Sequence, residues 1–100
     1  MREGDVVDYG ALDRVPTVIR AARLVYPPMA VRQRIETTVM LSILVSETGD
    51  VADVKVLRGD PRFGFNDAAI SALRRAKYTA PIKNGKRVRT WIPQMIQFKQ

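Results

Sequence analysis

The stretch TVMLSILVSETGDVADVKV, residues 38–56, decides the fold. Across residues 38–46, Val39, Leu41, Ile43 and Val45 alternate with Met40, Ser42, Leu44 and Ser46, the two-residue period of a strand with one buried face. The first set is uniformly large or branched and is assigned to the core. The second is mixed, so its face is expected to be half covered. Glu47, Thr48, Gly49 and Asp50 make a tight connection, with Gly49 supplying the positive φ that a short hairpin loop demands. Residues 51–58 form the return strand, in which Ala52, Val54 and Val56 alternate with Asp53, Lys55 and Leu57. An antiparallel hairpin is therefore predicted.

Residues 59–64 read as a loop from their Gly and Pro content. The spacing beyond them predicts a helix capped by Asn66, with Phe65 and Ile70 placed as a hydrophobic staple. Asp67 suits its N-terminal dipole, and Arg74, Arg75 and Lys77 suit its C-terminal one. Ala69, Ile70, Leu73 and Ala76 make its buried stripe, and it is expected to stop near Tyr78, ahead of Pro81. A basic turn follows around Asn84 and Gly85. The last strand is expected over about 88–98, with Val88, Thr90, Ile92, Ile96 and Phe98 on one face. Proline lacks a ladder donor, so Pro93 places this strand at a sheet edge or on a bulge.

Upstream, residues 17–25 read as a short peripheral strand ended by Tyr26, Pro27 and Pro28. Residues 29–34 suit one or two helical turns, with Pro28 in the first turn. Residues 1–13 are aperiodic and are expected to be a flexible acidic tail, leaving residues 14–100 as one domain. The fold class is α+β: two helices on one face of a three-stranded, mainly antiparallel sheet, with an extra short N-terminal strand allowed. The third strand is expected beside the first.

At 100 residues the chain makes one small domain. Its 46% apolar content suffices for a core. Absence of Cys and His removes the usual zinc, iron–sulfur and thiol chemistries, and with them the commonest general base. No apolar run is long enough to span a bilayer, and no signal peptide follows Met1. The net charge of +7 is unevenly placed. Arg2 stands against Glu3, Asp5, Asp8 and Asp13 in residues 1–13, a net of −3, so the remainder carries +10. Such a field favours acidic partners. Asp50, Asp53, Asp60 and Asp67 are scattered over turns and a helix start, no Ser sits in a nucleophile elbow, and Gly59, Asp60, Pro61 and Gly64 make no phosphate loop. No catalytic residue, cofactor or metal site is assigned, and the chain is read as a non-enzyme.

Taken in order, several segments resemble one family. Tyr26-Pro27 ahead of a short helix resembles the Tyr-Pro pair that opens TonB C-terminal domains. Residues 39–56, with Gly49-Asp50-Val51 at the turn and Asp53-Val54 after it, resemble that family's first hairpin. Phe65-Asn66-Asp67-Ala68-Ala69 is similar to its Phe-Asp-x-Ala-Ala helix start, and Leu73 through Tyr78 followed by Pro81 to its Leu-x-x-x-x-aromatic stretch. Asn84-Gly85 and Ile96-Gln97-Phe98 complete the pattern. Residues 12–25 resemble an extension found in some members. The resemblance covers residues 12–98, and it is the order and spacing of the motifs that carries it. There are departures: Ala76 and Lys77 stand where a large aromatic is frequent, Thr79-Ala80 adds a residue before the proline, and Pro93 interrupts the last strand.

The resemblance implies a periplasmic domain of an inner-membrane-anchored energy transducer, the anchor lying outside this chain. It implies engagement of the TonB box of outer-membrane receptors by edge-strand addition. Coupling to proton-motive force would run through inner-membrane proton-channel partners contacted by regions absent here. A TolA-like or other envelope adaptor (motility, secretion or envelope integrity) is the alternative. The partner-binding residues it implies are Arg89, Trp91, Ile92, Gln94 and Ile96 on the last strand, together with Tyr26. Two readings of that strand stand: a recognition edge, or an ordinary edge whose Pro93 discourages aggregation. Trp91 reads equally as an anchor or as a side chain packed under a loop, and Tyr26 as a contact or as packing on the sheet. An exposed edge also permits a homodimer by strand exchange. The basic residues Lys83, Lys86, Arg87 and Arg89, with Arg74, Arg75 and Lys77, carry no nucleic-acid-reading motif, so no nucleic acid is expected.

Overall fold

The alternation in residues 38–56 closes as a hairpin in the computed structural model of the chain, which describes residues 1–100. In chain order the elements are β1 (Val18–Arg20), α1 (Pro28–Arg32), β2 (Thr37–Val45), β3 (Val51–Arg58), α2 (Phe65–Arg74), β4 (Lys77–Tyr78), β5 (Ile82–Lys83), β6 (Lys86–Arg87) and β7 (Thr90–Phe98), preceded by a 3-10 turn at Tyr9–Ala11. The main sheet is three-stranded and antiparallel, in the order β3-β2-β7. Two small antiparallel pairs, β1 with β4 and β5 with β6, flank it. This is the expected α+β plan, with the last strand beside the first strand of the hairpin. No helix is long and apolar enough to cross a membrane.

The core lies between one face of the sheet and both helices. Val39, Leu41, Ile43 and Val45 are fully buried and meet Ala30 of α1 and Phe65, Ala69 and Leu73 of α2. Each large apolar side chain taken from water contributes about 1.5–3 kcal/mol. Tyr26 closes one end, its ring set edge-on to Phe65 (centroids 6.1 Å apart) and to Phe98 (5.6 Å). The opposite face of the sheet is partly open. Met40 and Met95 are exposed, and Trp91 is half-buried with the Lys55 Nζ 4.6 Å from its ring centroid.

The hairpin turn has two reasons to require Gly49. Its φ is +83°, and an added Cβ would lie 2.0 Å from the Tyr78 carbonyl oxygen. That close approach lets the Gly49 carbonyl accept the Tyr78 N–H at 2.9 Å. The same long-range contact explains where α2 ends. The helix stops at Arg74 rather than near Tyr78 because Lys77 and Tyr78 pair with β1 and Lys77 bridges to Asp50. Tertiary pairing here overrides local helical propensity.

The start of α2 also differs from expectation. Gly64, at φ +77°, is the N-cap, and the helix begins at Phe65. The Asn66 side chain instead accepts the Asp60 N–H at 2.8 Å, pinning the preceding loop. The basic turn forms as expected, Asn84 and Gly85 taking φ of +52° and +75°, as a hairpin of primed type requires. Of residues 17–25, only Val18–Arg20 is paired as strand.

Residues 1–13, expected as a loose tail, are tied to the domain. The Gly4 N–H donates to the Arg87 carbonyl and the Val7 N–H to the Arg89 carbonyl, while the Arg89 N–H donates to Asp5. Asp13 accepts the Asn84 N–H, and Val7 is buried.

Candidate protein-binding edge

β7 borders the sheet, with β2 on one side only. Its nine pairs with β2, from Thr37–Phe98 to Val45–Thr90, run without a register shift, whereas the β2–β3 ladder shifts twice. Pro93 sits within this unbroken ladder opposite Ser42. A proline can do so only if its nitrogen faces away from the partner strand. In an antiparallel ladder the lateral direction of the backbone groups alternates residue by residue. Trp91, Pro93, Met95 and Gln97 therefore turn their main-chain groups to the open side, and Ile92, Gln94 and Ile96 turn theirs to β2.

Arg89, two residues before Trp91, gives independent support for this parity. Both of its backbone groups leave the sheet to bond Asp5 and Val7, and Val6 forms a parallel bridge with it. Thr90, fully buried, adds a hydroxyl bond to the Val7 carbonyl at 2.8 Å. The N-terminal segment thus occupies the first stretch of the same lateral side and turns away at Tyr9–Ala11. Beyond Arg89 the open stretch begins at Trp91, with a depression beside it lined by Tyr9, Pro16, Val18 and Pro93.

The structure separates the residues singled out from sequence. Trp91 is half-buried on the sheet face away from the helices, neither fully packed nor free. Ile92 is buried; Gln94 and Ile96 are half-buried on the helix side. The Arg89 side chain is engaged by Glu47, Nε to Oε2 at 2.6 Å and Nη2 to Oε1 at 3.1 Å. The hydrogen bond from Arg89 holds the Glu47 carboxyl below its ordinary pKa, and Glu47 in turn raises that of Arg89. Tyr26 belongs to the core: its hydroxyl donates to the Ile35 carbonyl and lies 3.4 Å from that of Phe98. Sequence reasoning missed Met95 and Gln97, whose main-chain groups face outward. Pro93 carried the signal, since its parity fixes theirs once the strand has a partner.

Residues 22–100 match the family model described as the Gram-negative bacterial TonB protein C-terminal. The chain belongs to this TonB C-terminal family. It is 28% identical over 74 residues to Protein tonB2 of Pseudomonas aeruginosa, a match covering 74% of this chain and 27% of that protein. The chain thus spans about a quarter of the length of that relative. Its fold is similar to the solution NMR structure of the Pseudomonas aeruginosa TonB CTD, with a TM-score of 0.71 and 26% identity over 85% of this chain and 86% of that one. The family model begins at residue 22, so the N-terminal segment docked beside β7 lies outside its span.

Proposed function

We propose that the chain is the periplasmic, receptor-engaging domain of a TonB-type energy transducer, acting as a binding module and not as an enzyme. Its guest is an extended segment of an outer-membrane receptor, the TonB box, added as a strand along β7. Proton-motive force reaches the domain through inner-membrane partners held by regions outside this chain.

One observation carries the reading. The lateral side of β7 from Trp91 to Gln97 has no main-chain partner, while the adjoining stretch at Arg87 and Arg89 is already paired with another extended segment. A sheet border that accepts one strand by main-chain bonding is chemically suited to accept another. Each such bond contributes about 0.5–1.5 kcal/mol net. Trp91 offers the guest a flat apolar flank on one face, and Gln94 and Ile96 form the rim on the other. Ile92 anchors the strand to the core, Arg89 marks the limit of the open stretch, and Tyr26 seats Phe98 at its far end.

Titration of the ¹⁵N-labelled domain with a synthetic TonB-box peptide tests this. Amide shifts concentrated in residues 91–98 are expected. Saturating peptide that leaves those amides unmoved would remove the proposed role. The same border could take a second copy of the chain; shifts there that grow with protein concentration alone would report that event.

A further inference from the structure

Residues 21–25 lead from β1 to Tyr26 without turn or bend, and none has a positive φ. None of their N–H or C=O groups pairs with another main-chain group. Ala22 packs partly against the core, while Arg23, Leu24 and Val25 are exposed. Arg20, Arg23 and Arg75 line a groove along this segment, with Ala21 and Ala22 as its floor. The ion pairs of the protein are Arg62–Asp60, Lys77–Asp50, Lys83–Asp13 and Arg89–Glu47, so none of these three arginines is taken. Arg20 spends its Nε on the Arg75 carbonyl at 3.1 Å, which ties the segment to the end of α2. A second depression continues from Arg23 and Arg75 past Val25 and Pro27, with Asp67 at its border.

We propose that residues 21–25, with Arg20, Arg23 and Arg75, form a second strand-addition site whose ligand is an extended acidic peptide of a partner protein. Two complementarities meet there. Unpaired main-chain donors and acceptors in a row match those of another polypeptide, which a phosphodiester backbone, lacking donors, does not. Guanidinium groups outside any close ion pair match carboxylates, which they bind in a two-pronged geometry, although Arg20 also acts through space on Asp50. The groove shares no lining residue with the depression beside Pro93, so the two sites can be occupied independently.

The probe is a capped peptide of about eight residues alternating Glu with Val, one face of which presents all its charges when extended. With the ¹⁵N-labelled protein it is expected to shift the amides of residues 21–25 and slow their hydrogen exchange. Binding is expected to weaken about tenfold or more with the Gln counterpart, in the double variant Arg23→Gln/Arg75→Gln, and on raising salt from about 0.05 to 0.5 M. Arg23 is exposed, so Arg23→Gln alone, checked by a dispersed amide spectrum, tests the same point if the double variant folds poorly; a loss of about threefold or more is expected. The proposal is overturned if shifts are confined to residues 91–98, if Glu and Gln peptides bind alike, or if binding survives the arginine substitutions. It is equally overturned if anionic vesicles or an oligonucleotide move amides 21–25 and the Glu peptide does not. Failure of the receptor peptide at β7 would leave these readouts unaffected.

Discussion

Arg89 holds Glu47 through two hydrogen bonds, Nε to Oε2 at 2.6 Å and Nη2 to Oε1 at 3.1 Å. This pair joins the approach to β7 to the hairpin turn. Meanwhile the Arg89 main chain carries the N-terminal segment through Asp5 and Val7. One residue thus sets where the open border begins. Arg89→Ala removes the grip on Glu47 but keeps both main-chain bonds, so the N-terminal segment should stay docked. Hydrogen exchange at the Val7 amide should change less than about threefold, while titration of the Glu47 carboxyl moves up towards its ordinary range. Exchange at Val7 faster by about tenfold or more would mean that the side-chain pair, and not the main-chain bonds, holds the segment.

Pro93 withholds a donor from the open side of β7. Pro93→Val should add one and strengthen binding of an extended guest by about fivefold, the worth of one net hydrogen bond. It should also raise self-association, because a continuous border recruits strands indiscriminately. Titration calorimetry and sedimentation would measure the two effects. Weaker guest binding would mean that Pro93 itself is recognised.

Gly49→Ala should destabilise the fold by roughly 2–4 kcal/mol, since both the backbone conformation and the nearness of Tyr78 oppose a Cβ. Urea unfolding measures this. A loss below about 1 kcal/mol would show that the turn can move away from β4.

Tyr26→Phe keeps the ring against Phe65 and Phe98 but removes the donor to the Ile35 carbonyl. A stability loss of about 1–2 kcal/mol is expected. Affinity for a guest peptide at β7 should change less than about threefold, because the hydroxyl faces the interior of the fold. A large loss of affinity with unchanged stability would assign Tyr26 to direct contact.

Asp60 is held well below the usual carboxylate range, first by the Arg62 side chain, then by the Arg62 N–H, with a smaller contribution from Thr37. The folded state therefore binds its proton less readily than the unfolded state does. Stability from this group is present above the unfolded pKa of about 3.9 and is lost as pH falls below it. Glu47 and Asp50 act in the same direction through Arg89 and Lys77. Thermal melts between about pH 5 and pH 2 should show a smaller decline for Asp60→Asn than for the parent. Identical pH profiles would remove Asp60 from the account.

Much of the fold could be read from local pattern because the physics there is local. The hairpin follows from a two-residue period and one glycine. The Asn84–Gly85 turn follows from two residues tolerant of positive φ. The misread points are those where distant partners intervene. Asn66 looks like a helix cap until Asp60 claims its oxygen. Lys77 and Tyr78 look helical until Gly49 and β1 claim them. The N-terminal segment looks solvated because its composition is acidic, whereas main-chain bonds to Arg87 and Arg89, which composition cannot reveal, hold it in place. At the candidate border, sequence located the strand but not its parity. It singled out Arg89, Trp91, Ile92, Gln94 and Ile96 together, whereas the outward main-chain groups beyond Arg89 belong to Trp91, Met95 and Gln97.

Hydrogen exchange along β7, with and without a receptor peptide, tests the central claim most directly. In the free protein the amides of Ile92, Gln94 and Ile96 should be protected and those of Trp91, Met95 and Gln97 should exchange quickly. Added peptide should slow the second group and leave the first as it was. Protection of all six in the free monomer, or no slowing at Trp91, Met95 and Gln97 under saturating peptide, would contradict strand addition at this border.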